Sequence, residues 1–157
     1  MQLSKNFSLA ELVKSQTAER KGIDNTPNPK QKKNLKLLCE NILQPIRDRF
    51  GPFIVSSGFR CHELSAAVGS SIKSQHCQGL AVDFEVPGVS NYDLCLWIKD
   101  NLVFDQLILE CFTGGNTGWI HCSYVEEDPR FELLTYDRVN KYRPCLLYTS
   151  DAADEIT

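Results

Sequence analysis

Three residues of this sequence have the types and the setting of a metal centre: His76, Asp83 and His121. Asp83 lies in the apolar segment Leu80 to Val86, and His121 lies in a second such segment, Trp119 to Val125. A carboxylate among apolar residues is costly to bury unless it is paired, hydrogen-bonded or bound to a metal. Two histidines and one carboxylate form a common catalytic zinc set that leaves a fourth position for water. The spacing alone keeps an alternative open, in which Asp83 pairs with an arginine and His121 is an ordinary core histidine.

Two further residues have side chains that could act beside such a metal. If the hairpin between the two strands turns about Asn116, Glu110 falls nearly opposite His121, and opposed residues share a face of the sheet. A glutamate near an activated water can serve as its general base, whereas the alternative is a solvated carboxylate at a strand end. Arg60 follows a predicted strand and could grip a substrate carboxylate or a polarised carbonyl, although a lone arginine there is often only a surface charge.

The elements that position these residues are predicted from apolar spacing and capping residues. One helix is predicted from Ser8 toward Gly22, and a second from Asn28 to Gly51, where Pro45 can introduce a kink. The remaining predicted elements are, in order, a strand Phe53 to Ser57, a helix Cys61 to Val68, a strand Leu80 to Val86, a helix Asn91 to Leu102, and strands Asp105 to Phe112, Trp119 to Val125 and within Phe131 to Tyr136. Helices followed by mostly neighbouring strands predict an α+β fold, with a small antiparallel sheet that carries the metal site and helices from the N-terminal half that flank it.

Composition restricts the class of protein. The chain has 157 residues, 42% of them hydrophobic and 24% charged, which fits one globular domain. A net charge of -3 gives no basic footprint for nucleic acid, and no stretch approaches the roughly 20 apolar residues of a membrane span. Seven cysteines, an odd number without a CxxC pair, argue against a disulfide framework. Residues 1–146 are predicted to form one domain, and residues 147–157 a tail that is frayed or of non-native origin.

Several motifs together resemble a known family. Ser74-Gln75-His76-Cys77-Gln78-Gly79-Leu80-Ala81-Val82-Asp83 fits the pattern SxHxxGxAxD, and Trp119-Ile120-His121 fits WxH. With Ser57-Gly58-Phe59-Arg60 upstream, the chain resembles zinc D-alanyl-D-alanine carboxypeptidases and related phage endolysins, over roughly residues 3 to 125. The resemblance implies that His76, Asp83 and His121 bind zinc. It also implies that Arg60 contacts substrate, and we predict that Ser74 and Trp119 bind substrate with it.

The resemblance implies a zinc peptidase that hydrolyses the stem peptides of peptidoglycan, as a carboxypeptidase or an endopeptidase. Many members place an acidic residue three positions before the last histidine as general base, where this chain has Gly118. We therefore predict Glu110 as the base. The alternative is a non-catalytic domain of the same fold that contains zinc and binds the cell wall or belongs to a phage particle.

The start of the chain, Met1 to Phe7, lacks the apolar run of a signal peptide. We therefore expect a protein that is cytoplasmic as synthesised and that reaches the cell wall after release, for example from a phage-infected cell. We expect a monomer whose partner is the peptidoglycan peptide.

Overall fold

The N-terminal helices begin at residues whose side chains cap them. The structure, a computed structural model, describes residues 1–144, so the predicted boundary at residue 146 and the predicted tail 147–157 lie outside the described residues. Helix α1 spans Leu9–Val13 and helix α2 spans Gln16–Lys21. The single helix predicted from Ser8 is wrong, because Lys14 is extended and the Ser15 side chain accepts a hydrogen bond from Ala18 N to start a new helix.

The second predicted helix is confirmed over its whole length. Helix α3 spans Pro29–Leu38 and starts with a capping box between Asn28 and Gln31. It continues through a π-helical turn, Cys39–Leu43, into helix α4, Gln44–Phe50. The wider turn lies directly before the segment that contains Pro45, which has no backbone N–H to donate to the preceding turn.

The remaining elements form the sheet and its connections. They are β1 Val55–Ser57, α5 His62–Ala67, a 3-10 turn Gln75–Gln78, β2 Ala81–Phe84, α6 Asn91–Asn101, β3 Gln106–Glu110, β4 Trp119–Ser123, β5 Glu132–Asp137 and β6 Lys141–Pro144. The strand order is β1-β2-β4-β3-β5-β6. The α+β class is confirmed. The sheet differs from the prediction in two details: β3 and β5 pair in parallel, and β6 adds an edge strand that was not predicted.

The two faces of the sheet have different surroundings, because side chains alternate along each strand. One face contributes Val82, Phe84, Leu107, Leu109, Ile120 and Cys122 to the core cluster. That cluster also contains buried side chains of α3, the π-helical turn, α4 and α6, so the helices cover this face. The opposite face carries Asp83, Glu110 and His121 and opens into a cavity. Across residues 1–144, no helix combines the length and apolar character that a bilayer span needs.

Candidate metal centre

Pairing of β2 with β4 brings two of the predicted ligands together. Asp83 lies directly opposite His121 in this antiparallel pair, and His121 Nδ1 is 2.9 Å from Asp83 Oδ1. His76 comes from the 3-10 turn that precedes β2, and its Nε2 is 3.3 Å from Asp83 Oδ2. One ligand atom from each residue lies within 4.8 Å of the others, so the three residues could hold one metal ion.

The distance between His76 and Asp83 fits two ligands of one metal ion. Two ligands on zinc with bonds of about 2.0–2.1 Å lie about 3.4 Å apart, close to the 3.3 Å between His76 and Asp83. His76 Nδ1 is 2.7 Å from the Gly58 carbonyl oxygen. Because that oxygen can only accept, Nδ1 donates to it, and Nε2, which faces Asp83, is the nitrogen that would bind a metal when the ring is neutral. Such an outer hydrogen bond fixes a ligating histidine in one tautomer and one orientation.

The Asp83 carboxyl is charged although it is largely buried. Burial by itself would raise its pKa, but hydrogen bonds from His121 and His76, together with their charges, outweigh burial and hold the pKa well below its usual range. Within residues 1–144 the recorded partners of this carboxylate are the two histidines and not an arginine. The alternative of an ordinary aspartate–arginine pair is therefore wrong.

Arg60 and Ser74 both contact the turn that carries His76. The Ser74 hydroxyl accepts a hydrogen bond of 3.2 Å from His76 N, and Arg60 N donates one of 3.2 Å to His76 O. The Arg60 side chain lines the cavity. In the described part of the chain its Nε is buried without a hydrogen-bond partner, which leaves a donor for a ligand.

Glu110 reaches the site in a different register from the predicted one. It lies opposite Trp119, and Ile108 takes the position opposite His121. The loop therefore centres on Gly114 and Gly115, both with positive φ, and not on Asn116. A shift of two residues preserves the face, so Glu110 still lines the cavity with Trp119 and His121.

The environment of Glu110 makes its carboxylate more basic than an ordinary one. Burial raises its pKa, and the negative charge of Asp83 raises it further. His121, a hydrogen bond from Trp119 and the charge of Arg60 oppose this rise without cancelling it. A carboxylate of raised pKa is a stronger proton acceptor, as a general base requires.

Gly118 occupies a position that admits no side chain. Its φ is +75°, and an added Cβ would lie 2.2 Å from the Glu110 carbonyl oxygen and 2.9 Å from Phe112 N. Real Cβ atoms do not approach backbone atoms so closely, so this backbone excludes an acidic residue at position 118. A glycine here also meets the left-handed φ without strain.

Asp105 is a site-supporting residue that the sequence analysis missed. It is buried directly before β3, where its carboxylate accepts hydrogen bonds from Arg130 Nη2 at 2.8 Å and from Gln75 Nε2 at 2.9 Å. Gln75 directly precedes His76, so Asp105 ties the ligand-bearing turn to the segment after β4. The available signal was a charged residue at the entrance of an apolar strand, which is costly to bury without partners.

The site lies in one cavity of about 770 Å³ along the open sheet face. Arg60, Glu110 and the three predicted ligand residues line this cavity. It also contains Tyr136 and Tyr142 from β5 and β6, which the sequence analysis did not identify. His62, by contrast, is exposed at the first position of α5 and takes no part in the site.

The sequence of the chain matches a known protein family. The sequence profile described as peptidase M15 matches residues 5–123, which is more than half of the chain. The chain belongs to the peptidase M15 family. Membership supports a metallopeptidase, and the His76, Asp83 and His121 group is the place where this M15 peptidase could hold its metal. No curated protein matches the sequence significantly.

Replacement of a ligand should abolish metal binding. We expect His76→Ala to retain less than about one tenth of an equivalent of zinc after dialysis, because two ligands hold zinc far more weakly than three. The matched control is His62→Ala, which removes an exposed histidine and should bind one zinc per chain. Elemental analysis of both purified variants measures the difference, and zinc retained in His76→Ala would contradict the ligand assignment.

The ion pair of Asp105 should make folding stability depend on pH. The hydrogen bond from Arg130 lowers the pKa of Asp105 to about 2, below the ordinary value of about 3.9. The stabilisation is therefore present above pH 4 and is lost as the pH falls toward 2. We expect Asp105→Asn to lower the free energy of unfolding by about 2 kcal/mol from neutral pH down to about pH 4, and by progressively less as the pH falls from 4 toward 2.

Urea unfolding across this pH range measures that dependence. Asp100→Asn is the control, since its carboxylate is 65% exposed beside Lys99 and should matter little. A loss for Asp105→Asn that stays constant down to pH 2 would show that the charge of Asp105 is unimportant.

Substitution of Gly118 should lower the free energy of unfolding because an added side chain would collide with the backbone. Gly115→Ala places a side chain at positive φ in open space and should cost about 1 kcal/mol. Gly118→Ala adds a collision with backbone to the same strain, and we expect a loss of about 3 kcal/mol or more. Urea unfolding of both variants compares them, and equal losses would refute the steric argument.

Proposed function

We propose that this M15 peptidase is a zinc-dependent enzyme that hydrolyses the stem peptides of peptidoglycan. The observation that carries the proposal is the convergence, in one cavity, of a three-ligand metal group, a basic carboxylate and an unpaired arginine donor. Zinc bound by His76, Asp83 and His121 would supply Lewis acidity, which activates water and polarises a peptide carbonyl.

The residues of the chain supply the proton transfers and the orientation of the substrate. Glu110 accepts the proton of the attacking water, a role that its raised pKa favours. It then returns that proton to the leaving amine. Trp119, which lines the same cavity, donates a hydrogen bond to the Glu110 carboxylate.

Arg60 provides the charge that would select an acidic group on the substrate. Its guanidinium lines the cavity beside the ligands and has a buried Nε that is free to donate. A planar guanidinium binds a carboxylate through two parallel hydrogen bonds. This suits a peptide that ends in a free carboxylate near the cleaved bond, as the stem peptides with terminal D-alanine do. Ser74 and Trp119 line the same cavity and complete the proposed substrate contacts.

The proposed cellular role follows from the resemblance to endolysins. The enzyme would act on the cell wall after release from the cell in which it is made, as a phage endolysin does, and would act as a monomer. Removal of a terminal residue and cleavage within the stem both use the same ligands. The shape of the cavity therefore selects between carboxypeptidase and endopeptidase action.

One observation favours a second candidate function. Gly118 stands three positions before the last histidine, where the family resemblance implies an acidic general base. A domain that lost its base but kept its metal would bind the cell wall, or serve in a phage particle, without hydrolysis. Glu110 supports the enzymatic function, because it supplies a carboxylate to the same cavity from β3.

Replacement of Glu110 tests the enzymatic proposal. The wild-type protein should release peptide fragments from purified peptidoglycan, and a chelator should stop the release. Glu110→Gln keeps the size of the side chain but removes the proton acceptor. We expect it to bind one zinc and to lower the rate by about 10²–10⁴-fold. Mass spectrometry of released fragments gives the rate and the bond cut.

The control for this variant is Glu63→Gln, at an exposed position in the first turn of α5, which should keep the wild-type rate. A Glu110→Gln protein as fast as wild type would remove Glu110 from the mechanism. One zinc per chain without hydrolysis by the wild type would favour the binding function.

A further inference from the structure

The β5–β6 hairpin adds a wall to the cavity that lies beyond the family match. The matched residues end at 123, whereas β5 and β6 span residues 132–144. Tyr136 and Tyr142 are direct partners across this antiparallel pair, and their ring centroids are 4.7 Å apart. Both side chains line the same cavity as the ligand residues. We call these two side chains the tyrosine pair.

The strand order sets the position of the tyrosine pair relative to the metal ligands. Arg60 follows β1 at one side of the sheet. The ligand His76 precedes β2, Asp83 lies on β2 and His121 lies on β4. Glu110 lies on the next strand, β3. Tyr136 lies opposite Glu110 in the parallel β3–β5 pair. Across the sheet, the order is therefore Arg60, the three metal-ligand residues, Glu110 and the tyrosine pair.

The spacing between strands gives the length of peptide that would extend from the metal group to the tyrosine pair. Neighbouring strands lie about 4.8 Å apart, so Tyr136, two strands from His121, is offset by about 10 Å and Tyr142 by about 14 Å. An extended peptide advances about 3.3 Å per residue. A peptide that lies across the strands with its carboxylate at Arg60 would reach the tyrosine pair about three residues to the N-terminal side of the metal group.

The tyrosine pair has the chemistry of an open binding surface. Tyr142 is 59% exposed, so one of its ring surfaces is available to a ligand. Aromatic rings offer a broad apolar surface for aliphatic side chains while the hydroxyl stays hydrated. Tyr142 lines the cavity together with Glu110, and partial burial together with the charge of that carboxylate raises the pKa of its hydroxyl.

We propose that Tyr136 and Tyr142 form a subsite for the substrate residues on the acyl side of the cleaved bond. This inference rests on the proposed peptidase function and on an orientation in which Arg60 holds the carboxyl side. The subsite makes the enzyme select peptides that extend about three residues beyond the cleaved bond over shorter peptides with the same C-terminal end.

The test compares peptide lengths across matched variants. The substrates are the stem pentapeptide and a dipeptide with the same last two residues, acetylated at its N-terminus. The full-length zinc-loaded proteins are wild type, Tyr142→Ala, Tyr142→Phe and Val139→Ala, the last being a control at an 88% exposed position in the hairpin turn. Zinc content and urea unfolding establish that each variant is folded and loaded.

For wild type we expect kcat/KM to be at least about tenfold higher for the pentapeptide than for the dipeptide. Tyr142→Ala should bring this ratio close to one, mainly through a higher KM for the pentapeptide. Tyr142→Phe keeps the ring and should keep the ratio, as should Val139→Ala. A ratio unchanged in Tyr142→Ala overturns the subsite. An equal fall in kcat for both peptides in Tyr142→Phe also overturns it, because the hydroxyl would then act in the chemistry.

A separate measurement distinguishes failure of the subsite from failure of the proposed function. If the wild type cleaves neither peptide nor peptidoglycan, the peptidase proposal fails, and calorimetry with the pentapeptide tests the subsite alone. Binding that is about tenfold weaker in Tyr142→Ala than in wild type and Val139→Ala would support a binding surface at the tyrosine pair. Equal affinities, or no binding by the wild type, would overturn it.

Discussion

Burial of the Asp83 carboxylate on the open side of the sheet is the constraint on which the site depends. A charge in that position needs partners, and the structure provides two histidines from different elements. His121 can reach it only because β2 and β4 pair in one register. His76 reaches it from a 3-10 turn that is separated from the start of β2 by two residues, and the Gly58 carbonyl fixes its ring. The β2–β4 register and the 3-10 turn therefore both place a histidine beside the Asp83 carboxylate.

The division of the sheet into two faces explains how a small fold holds both a core and a polar site. Successive side chains of a strand point to opposite faces of the sheet. Val82, Ile120 and Cys122 therefore lie on the helix-covered face. Their neighbours Asp83 and His121 face the cavity. Each ligand strand is thus anchored by apolar side chains within one residue of its ligand. Rigid elements of this kind hold catalytic groups in place better than loops do.

Much of the site could be predicted from the sequence because its signals are local. Asp83 and His121 stand out in short apolar segments, and the α+β class follows from the order of the elements. The face of Glu110 was also correct, since an error of two residues preserves alternation, but its partner was not, because the glycines of the loop decide where the chain turns.

Other features depend on contacts between distant residues, which the sequence does not display. Asp105 and Arg130 lie 25 positions apart and meet only in the folded chain. The parallel pairing of β5 with β3, and the edge strand β6, likewise arise from tertiary placement and not from apolar pattern. The break at Ser15 had a local signal, a residue that can cap a helix, but one that also occurs within helices.

The Glu110 carbonyl oxygen occupies the space that a side chain at position 118 would need, and this restricts how the protein can evolve. A glutamate cannot be introduced at position 118 while the present loop is kept, since the first atom of its side chain already collides with backbone. A lineage could move the carboxylate from β3 to position 118 only by remodelling the eight residues 111–118 that join β3 to β4. A single substitution at position 118 would destabilise the protein, so the shape of the loop favours the present placement of the carboxylate.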